Sequence, residues 1–297
     1  MLRRIVAFAR LARPAFLAGG FTGFALGAAV ARFDGFAIDW RAYALGQVLV
    51  TSFHLMVHFA NDYFDQETDA ITVRTAWSGG SGVLPNGELP PWIALAASLV
   101  CAASGLAATA VEFAAGNVTL AVVGLVIGVL GWGYSAPPLR FLARGLGELD
   151  TIAVVAILVP LAGYAAFAQR IAPHALLATV PGACAMFAMM LTVEIPDRAA
   201  DAATGKRNLV VRWGTQRAVR VARGLAAGAV VALLAVGSAT FAAPAIVVLA
   251  ALPVAAIAAA YAAVDRLARI PLVSPELLGV ALYAVTTCAA LAIVIAG

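Results

Sequence analysis

Two short stretches of this sequence concentrate carboxylates at one repeated spacing. The first reads Asn61-Asp62-Tyr63-Phe64-Asp65-Gln66-Glu67-Thr68-Asp69, and the second reads Glu194-Ile195-Pro196-Asp197-Arg198-Ala199-Ala200-Asp201. In each, three acids fall at i, i+3 and i+7, so a continuing helix stacks them on one face. Two such faces repel unless cations stand between them. Carboxylate and water oxygens are the ligands of Mg²⁺, which takes one or two carboxylates and completes its shell from substrate phosphate. Two facing clusters could thus hold metal ions that bridge a diphosphate and stabilise its charge as it leaves. Lys206, Arg207, Arg140, Arg144 and Arg74 supply cations nearby. Two plainer readings compete. Acidic helix ends are often solvated boundaries, and transporters also hold several carboxylates, though nearer the bilayer midplane.

The elements that position these motifs are apolar helices. Of 297 residues, 63% are apolar and 11% charged. An ordinary soluble domain is only about half apolar. Nine segments, near 14–31, 42–64, 91–111, 118–134, 149–168, 175–195, 218–237, 240–262 and 276–296, are long enough to cross a bilayer at about 20 residues each. The expected fold is all-α and integral to the membrane, one polytopic unit over 1–297. Its Gly and Ala content suits close helix packing.

The 19 basic and 15 acidic residues give +4, which in so apolar a chain concerns anionic lipid and orientation rather than nucleic acid. With nine spans, Arg32, Arg41 and Arg170 fall on one side and the other 16 cations, Arg266 and Arg269 among them, on the other. That asymmetry puts the N-terminus in the cytoplasm and the C-terminus across the membrane. Two cytoplasmic connections, about 65–90 and 196–217, are then much longer than the rest, and each begins with carboxylates; long ordered loops tend to be functional. Cys101, Cys184 and Cys288 are scattered in apolar runs and read as buried small residues. The basic N-terminus lacks a signal-peptide pattern and is expected to be retained.

At these motifs the sequence resembles the UbiA superfamily of intramembrane aromatic prenyltransferases. Asn61 to Asp69 resembles the family's first motif, NDxxDxxxD, and Asp197 to Asp201 its second, DxxxD. Tyr134-Ser135-Ala136-Pro137-Pro138-Leu139-Arg140 with Gly145-Leu146-Gly147-Glu148 is similar to the loop after the fourth helix, and Arg13-Pro14 to the family's start. The resemblance implies nine helices around a central cavity capped by the two long loops. It implies Mg²⁺-dependent transfer of a polyprenyl group from its diphosphate to an acceptor among the membrane lipids. The stretches Gly79–Leu84 and Gly205–Gly214 look most like the dihydroxynaphthoate polyprenyltransferases of menaquinone synthesis, although Glu194 stands where many relatives carry Asn or Arg.

In that reading Asp62, Asp65, Asp69, Asp197 and Asp201 are the expected metal ligands. Asn61 binds phosphate or orients Asp65, and Lys206 and Arg140 clamp the diphosphate, with Arg74, Arg144 and Arg207 as weaker candidates. Glu194 has three open roles: metal binding through water, contact with the acceptor, or proton acceptance. His58, with His54 one turn away, lines the acceptor cavity or serves as a base. Tyr134 is the best placed of Tyr63, Phe64, Tyr134 and Phe187 to shield an allylic cation. The acceptor is an aromatic, dihydroxynaphthoate first; 4-hydroxybenzoate, a lipid ether or internal terpene cyclisation are alternatives, and transport ranks last.

Overall fold

The computed structural model describes residues 2–263 and 274–297; Arg266 and Arg269 of the charge count lie outside them. Among the described residues nine helices are long and apolar enough to cross a membrane: Pro14–Phe33, Trp40–Phe64, Pro91–Ala114, Val118–Ser135, Gly147–Ala168, Pro173–Val193, Thr215–Phe241, Pro244–Ala262 and Pro275–Ala296. Their starts follow local chemistry. Pro opens the first, third, sixth, eighth and ninth spans, where its missing N–H costs nothing and its φ is already helical. Asp39, Asn117 and Ser274 cap the second, fourth and ninth with side-chain oxygens. The largest departures from the sequence reading are around the seventh span. It begins at Thr215 and runs on through a π-helical stretch, Gly237–Phe241, so the eighth starts four residues later than expected, at Pro244.

Burial divides the spans into centre and rim. In their most apolar stretches the sixth is 61% buried, but the third and seventh are 28% and the eighth 22%. Two apolar cores result. One joins the first span to the fifth through ninth, through residues such as Tyr164, Leu191, Leu233 and Tyr261; the other joins the first five spans, around Phe24, Leu49, Phe53 and Leu120. The first and fifth spans belong to both, and they meet with almost no side chain between them. A Cβ on Gly27 would lie 1.7 Å from the Pro160 carbonyl oxygen, and one on Gly163 would lie 2.1 Å from that of Phe24. Contact this close holds helices together by packing where lipid offers no hydrophobic drive.

Ahead of the first span, the helix Leu2–Leu11 buries Ala7 and Leu11 against Phe59, Val83 and Leu84. Arg10 pairs with Glu88 at 2.9 Å, so this helix and the loop after the second span brace one another.

The glycine seam is testable. Gly27→Ala should destabilise the detergent-solubilised protein by about 1–3 kcal/mol, the usual cost of overpacking, seen as a lower thermal midpoint. Gly228→Ala, inside a helix and with nothing within 4 Å of its Cβ, should not lower the midpoint and should raise it slightly, because Ala is the better helix former.

Candidate active site

The second span ends at Phe64, with Asp65 as its cap at φ −101°, and a short turn of helix, Gln66–Asp69, follows. The sixth ends at Val193, turns through Pro196, and resumes as Arg198–Ala203. Both motifs therefore straddle a break, and the continuous three-carboxylate faces expected from the spacing do not form. The consequence is largest for Asp62. It turns away from the cavity and holds the loop beyond it, accepting hydrogen bonds from the Ser81 hydroxyl and backbone N–H, with Arg13 Nε at 3.7 Å.

The remaining motif residues converge on one cavity of about 280 Å³. It is walled by the first, second, fourth, fifth, sixth and ninth spans and roofed by parts of both long loops. Asn61, Asp65 and Asp69 line one side, and Glu194, Asp197 and Asp201 the other. Lys206 bridges them, its Nζ 3.2 Å from Asp65 and 3.4 Å from Asp201. Burial opposes the lysine's charge, but Asp65 and Asp201 outweigh it and hold its pKa above the ordinary value. Asn61 Nδ2 donates to Asp65 at 2.6 Å and to the Ser135 hydroxyl at 3.0 Å, fixing that carboxylate's direction. Across the roof, Gly79 N–H donates to Asp197 and the Thr68 and Thr204 hydroxyls meet at 3.0 Å. Gly80 sits at φ +66°, and a Cβ there would collide with the Asp69 carboxylate; only glycine lets this loop close over the acid.

His58 and His54 line the cavity with ring centroids 4.6 Å apart. His58 Nδ1 is 2.7 Å from the Ala12 carbonyl, which can only accept, so Nδ1 carries a proton. Tyr134 also lines the cavity. Arg140 does not: it is exposed at φ +46° and lies outside the cavity lining. Arg74, Arg144 and Arg207 are likewise exposed; the first two bond loop carbonyls. Tyr63, Phe64 and Phe187 are absent from the lining.

Sequence reasoning passed over several participants. Arg13 lines the cavity and reaches Asn61 at 3.5 Å. Asn208 donates to Asp201 at 2.7 Å while capping the turn Leu209–Trp213. Fully buried Glu148 accepts from Leu209 N–H, tying the fifth span to the second roof loop. Asp150 enters the cavity from the same span. None repeats a spacing, so only the fold brings them in.

The donor set suits a hard divalent cation. Four Asp side chains present carboxylate oxygens from two facing sides, and one Asp197 oxygen and both Glu194 oxygens are buried without hydrogen-bond partners. Among the described residues no three acidic, His or Cys side chains form a ready-made metal cage. Mg²⁺ binds through few carboxylates and shares the rest of its shell with phosphate.

The chain's sequence matches the UbiA prenyltransferase family over residues 21–271. It belongs to that family; it is a prenyltransferase and a multi-pass membrane protein. Similar folds include a UbiA homologue from Archaeoglobus fulgidus bound to GPP and Mg²⁺, at 19% identity and TM-score 0.70, covering 98% of this chain and 100% of that one. A digeranylgeranylglyceryl phosphate synthase aligns at 16% identity and TM-score 0.61, over 98% and 99% of the two chains. The apo UbiA homologue from Aeropyrum pernix K1 aligns at 18% and 0.64, over 91% and 96%. No curated protein sequence matches the chain.

Without a cation, burial and the neighbouring Asp65 push Asp69 up to about 7, and burial and Asp201 push Asp197 up to about 6. Between the ordinary carboxylate range and these values the folded state binds more protons than the unfolded one, so stability falls as pH rises. Metal-free protein should melt at a lower temperature at pH 8 than at pH 5, and added MgCl₂ should recover the difference mainly at pH 8. Equal melting at both values would contradict this charge balance.

Proposed function

We propose that this chain transfers a polyprenyl group from its diphosphate to an aromatic acceptor in the membrane, with 1,4-dihydroxy-2-naphthoate as acceptor and menaquinone biosynthesis as setting. The observation that carries the transfer chemistry is the pair of Asp motifs facing each other across Lys206 at the mouth of an apolar cavity. The acceptor rests on the likeness of Gly79–Leu84 and Gly205–Gly214 to the naphthoate enzymes. We further propose that the chain acts as one unit over 1–297, in the cell (inner) membrane, with its N-terminus cytoplasmic. A reporter fused to the C-terminus that proved active in the cytoplasm would reverse that orientation.

Asp65, Asp69, Asp197 and Asp201 would hold Mg²⁺, which neutralises the diphosphate and stabilises its departure. Binding of Mg²⁺ together with GPP in the Archaeoglobus fulgidus homologue supports this assignment. Lys206 presents positive charge between the motifs, and Asn61 keeps Asp65 aimed at the cavity. The prenyl chain extends among Phe53, Ile127, Val154 and Met186. As the C1–O bond ionises, the diphosphate takes the electron pair and C1 becomes an allylic cation. The ring carbon of the acceptor attacks C1, and loss of a proton, or of CO₂ from a carboxylated ring carbon, restores aromaticity. Tyr134 presents its π face to the cation, and the roof loops keep out water that would quench it.

Asp65→Asn and Asp201→Asn should each lower turnover by about 100-fold or more while leaving folded, membrane-inserted protein, measured as prenylated product by mass spectrometry. Wild-type turnover in both variants would defeat the metal assignment.

A further inference from the structure

The cavity holds an acid that the transfer chemistry above does not use. Asp150 lies one turn into the fifth span, on the face Asp150, Thr151, Val154, Val155 and Val159 that lines the cavity. Immediately after it the helix widens into a π-helical stretch, Ile152–Leu158, a distortion that often marks functional positions. Asp150 is 8% exposed, its Oδ1 is buried without a hydrogen-bond partner, and it joins no ion pair among the described residues. An unpaired carboxylate oxygen in an apolar wall is destabilising. Asp65 and Asp201 share Lys206, and Asp197 takes the Gly79 N–H on one oxygen, while Glu194, also without partners, stands beside the second motif on the sixth span rather than on this wall.

We infer that Asp150 reads the acceptor: its carboxylate accepts a hydrogen bond from a hydroxyl of the aromatic substrate, so the edge turned to the fifth span carries a hydroxyl and no carboxylate. This rests on the prenyl-transfer reading and adds the group recognised. The charge of the lining points the same way. Six carboxylates line the cavity against two cations, Arg13 and Lys206. Arg13 is occupied by Asp62 and Asn61, and Lys206 by Asp65 and Asp201. Among the described residues no protein cation stands beside Asp150 for a substrate carboxylate to pair with, whereas a hydroxyl would satisfy Oδ1. Tyr134 lines the same cavity as Asp150 and Asp65, which links this wall to the diphosphate end.

The test compares 1,4-dihydroxy-2-naphthoate with its two mono-O-methyl ethers, each of which removes one donor, using purified full-length protein. In wild type, one ether should lose roughly 10-fold or more in kcat/KM, because the site's acceptor is left unpaired. In Asp150→Leu that penalty should vanish, with acceptor KM raised and prenyl diphosphate KM unchanged. Asp150→Asn, which keeps an oxygen acceptor without the charge, should restore part of it; this isosteric variant stands alone should the leucine variant not fold. An ether penalty of the same size in wild type and in either active variant overturns the inference while the transfer reading stands. Absence of any prenylated product and of any diphosphate release from folded wild type overturns both.

Discussion

Everything at the motif-bearing end of this protein depends on one electrostatic problem. Asp65, Asp69, Glu194, Asp197 and Asp201 crowd the mouth of a single cavity, with Lys206 the cation between the two motifs. Removed from bulk water, such charges repel more strongly than they would at a surface. The protein answers by aiming dipoles at them: the Asn61 and Asn208 amides and the Gly79 N–H each donate to a motif carboxylate. Burial still holds Asp69 and Asp197 well above the ordinary carboxylate range. The site is thus poised to gain stability from divalent charge, which is the condition for gripping a diphosphate and its counter-ions together.

The helical frame makes that concentration of charge tolerable. The first and fifth spans meet backbone to backbone at Gly27 and Gly163, joining two cores into one wall. The poorly buried third, seventh and eighth spans leave the cavity to the other six. The roof is pinned at its edges by Ser81 on Asp62, Arg207 N–H on the Ala143 carbonyl, and Leu209 N–H on Glu148. Charged chemistry and a largely apolar cavity therefore sit within a few turns of each other, as a reaction through a carbocation requires.

The nine spans were legible because bilayer thickness imposes a length and composition that no local detail can mask. The two acidic motifs were legible because carboxylates are rare in such a chain. What spacing could not show was the break in each helix. A cap at Asp65 and a turn through Pro196 re-aim side chains that periodicity would stack, which is how Asp62 became a loop anchor. Arg140 lies outside the cavity lining for a related reason: proximity in sequence to a motif loop does not decide which side of a turn a cation occupies. Arg13 and Asp150 stayed hidden because neither belongs to a repeated spacing, and each is given meaning only by neighbours from other spans.

The most direct test of the central claim is diphosphate release and prenyl transfer by the purified protein, with a prenyl diphosphate and 1,4-dihydroxy-2-naphthoate, in Mg²⁺ and in chelator. The account predicts a prenylated, decarboxylated naphthoate with matching diphosphate release in Mg²⁺, and neither in chelator. Diphosphate release without an alkylated naphthoate would remove the proposed acceptor. No diphosphate release from well-folded protein in Mg²⁺ would contradict the reading of the facing Asp motifs as a diphosphate-ionising site.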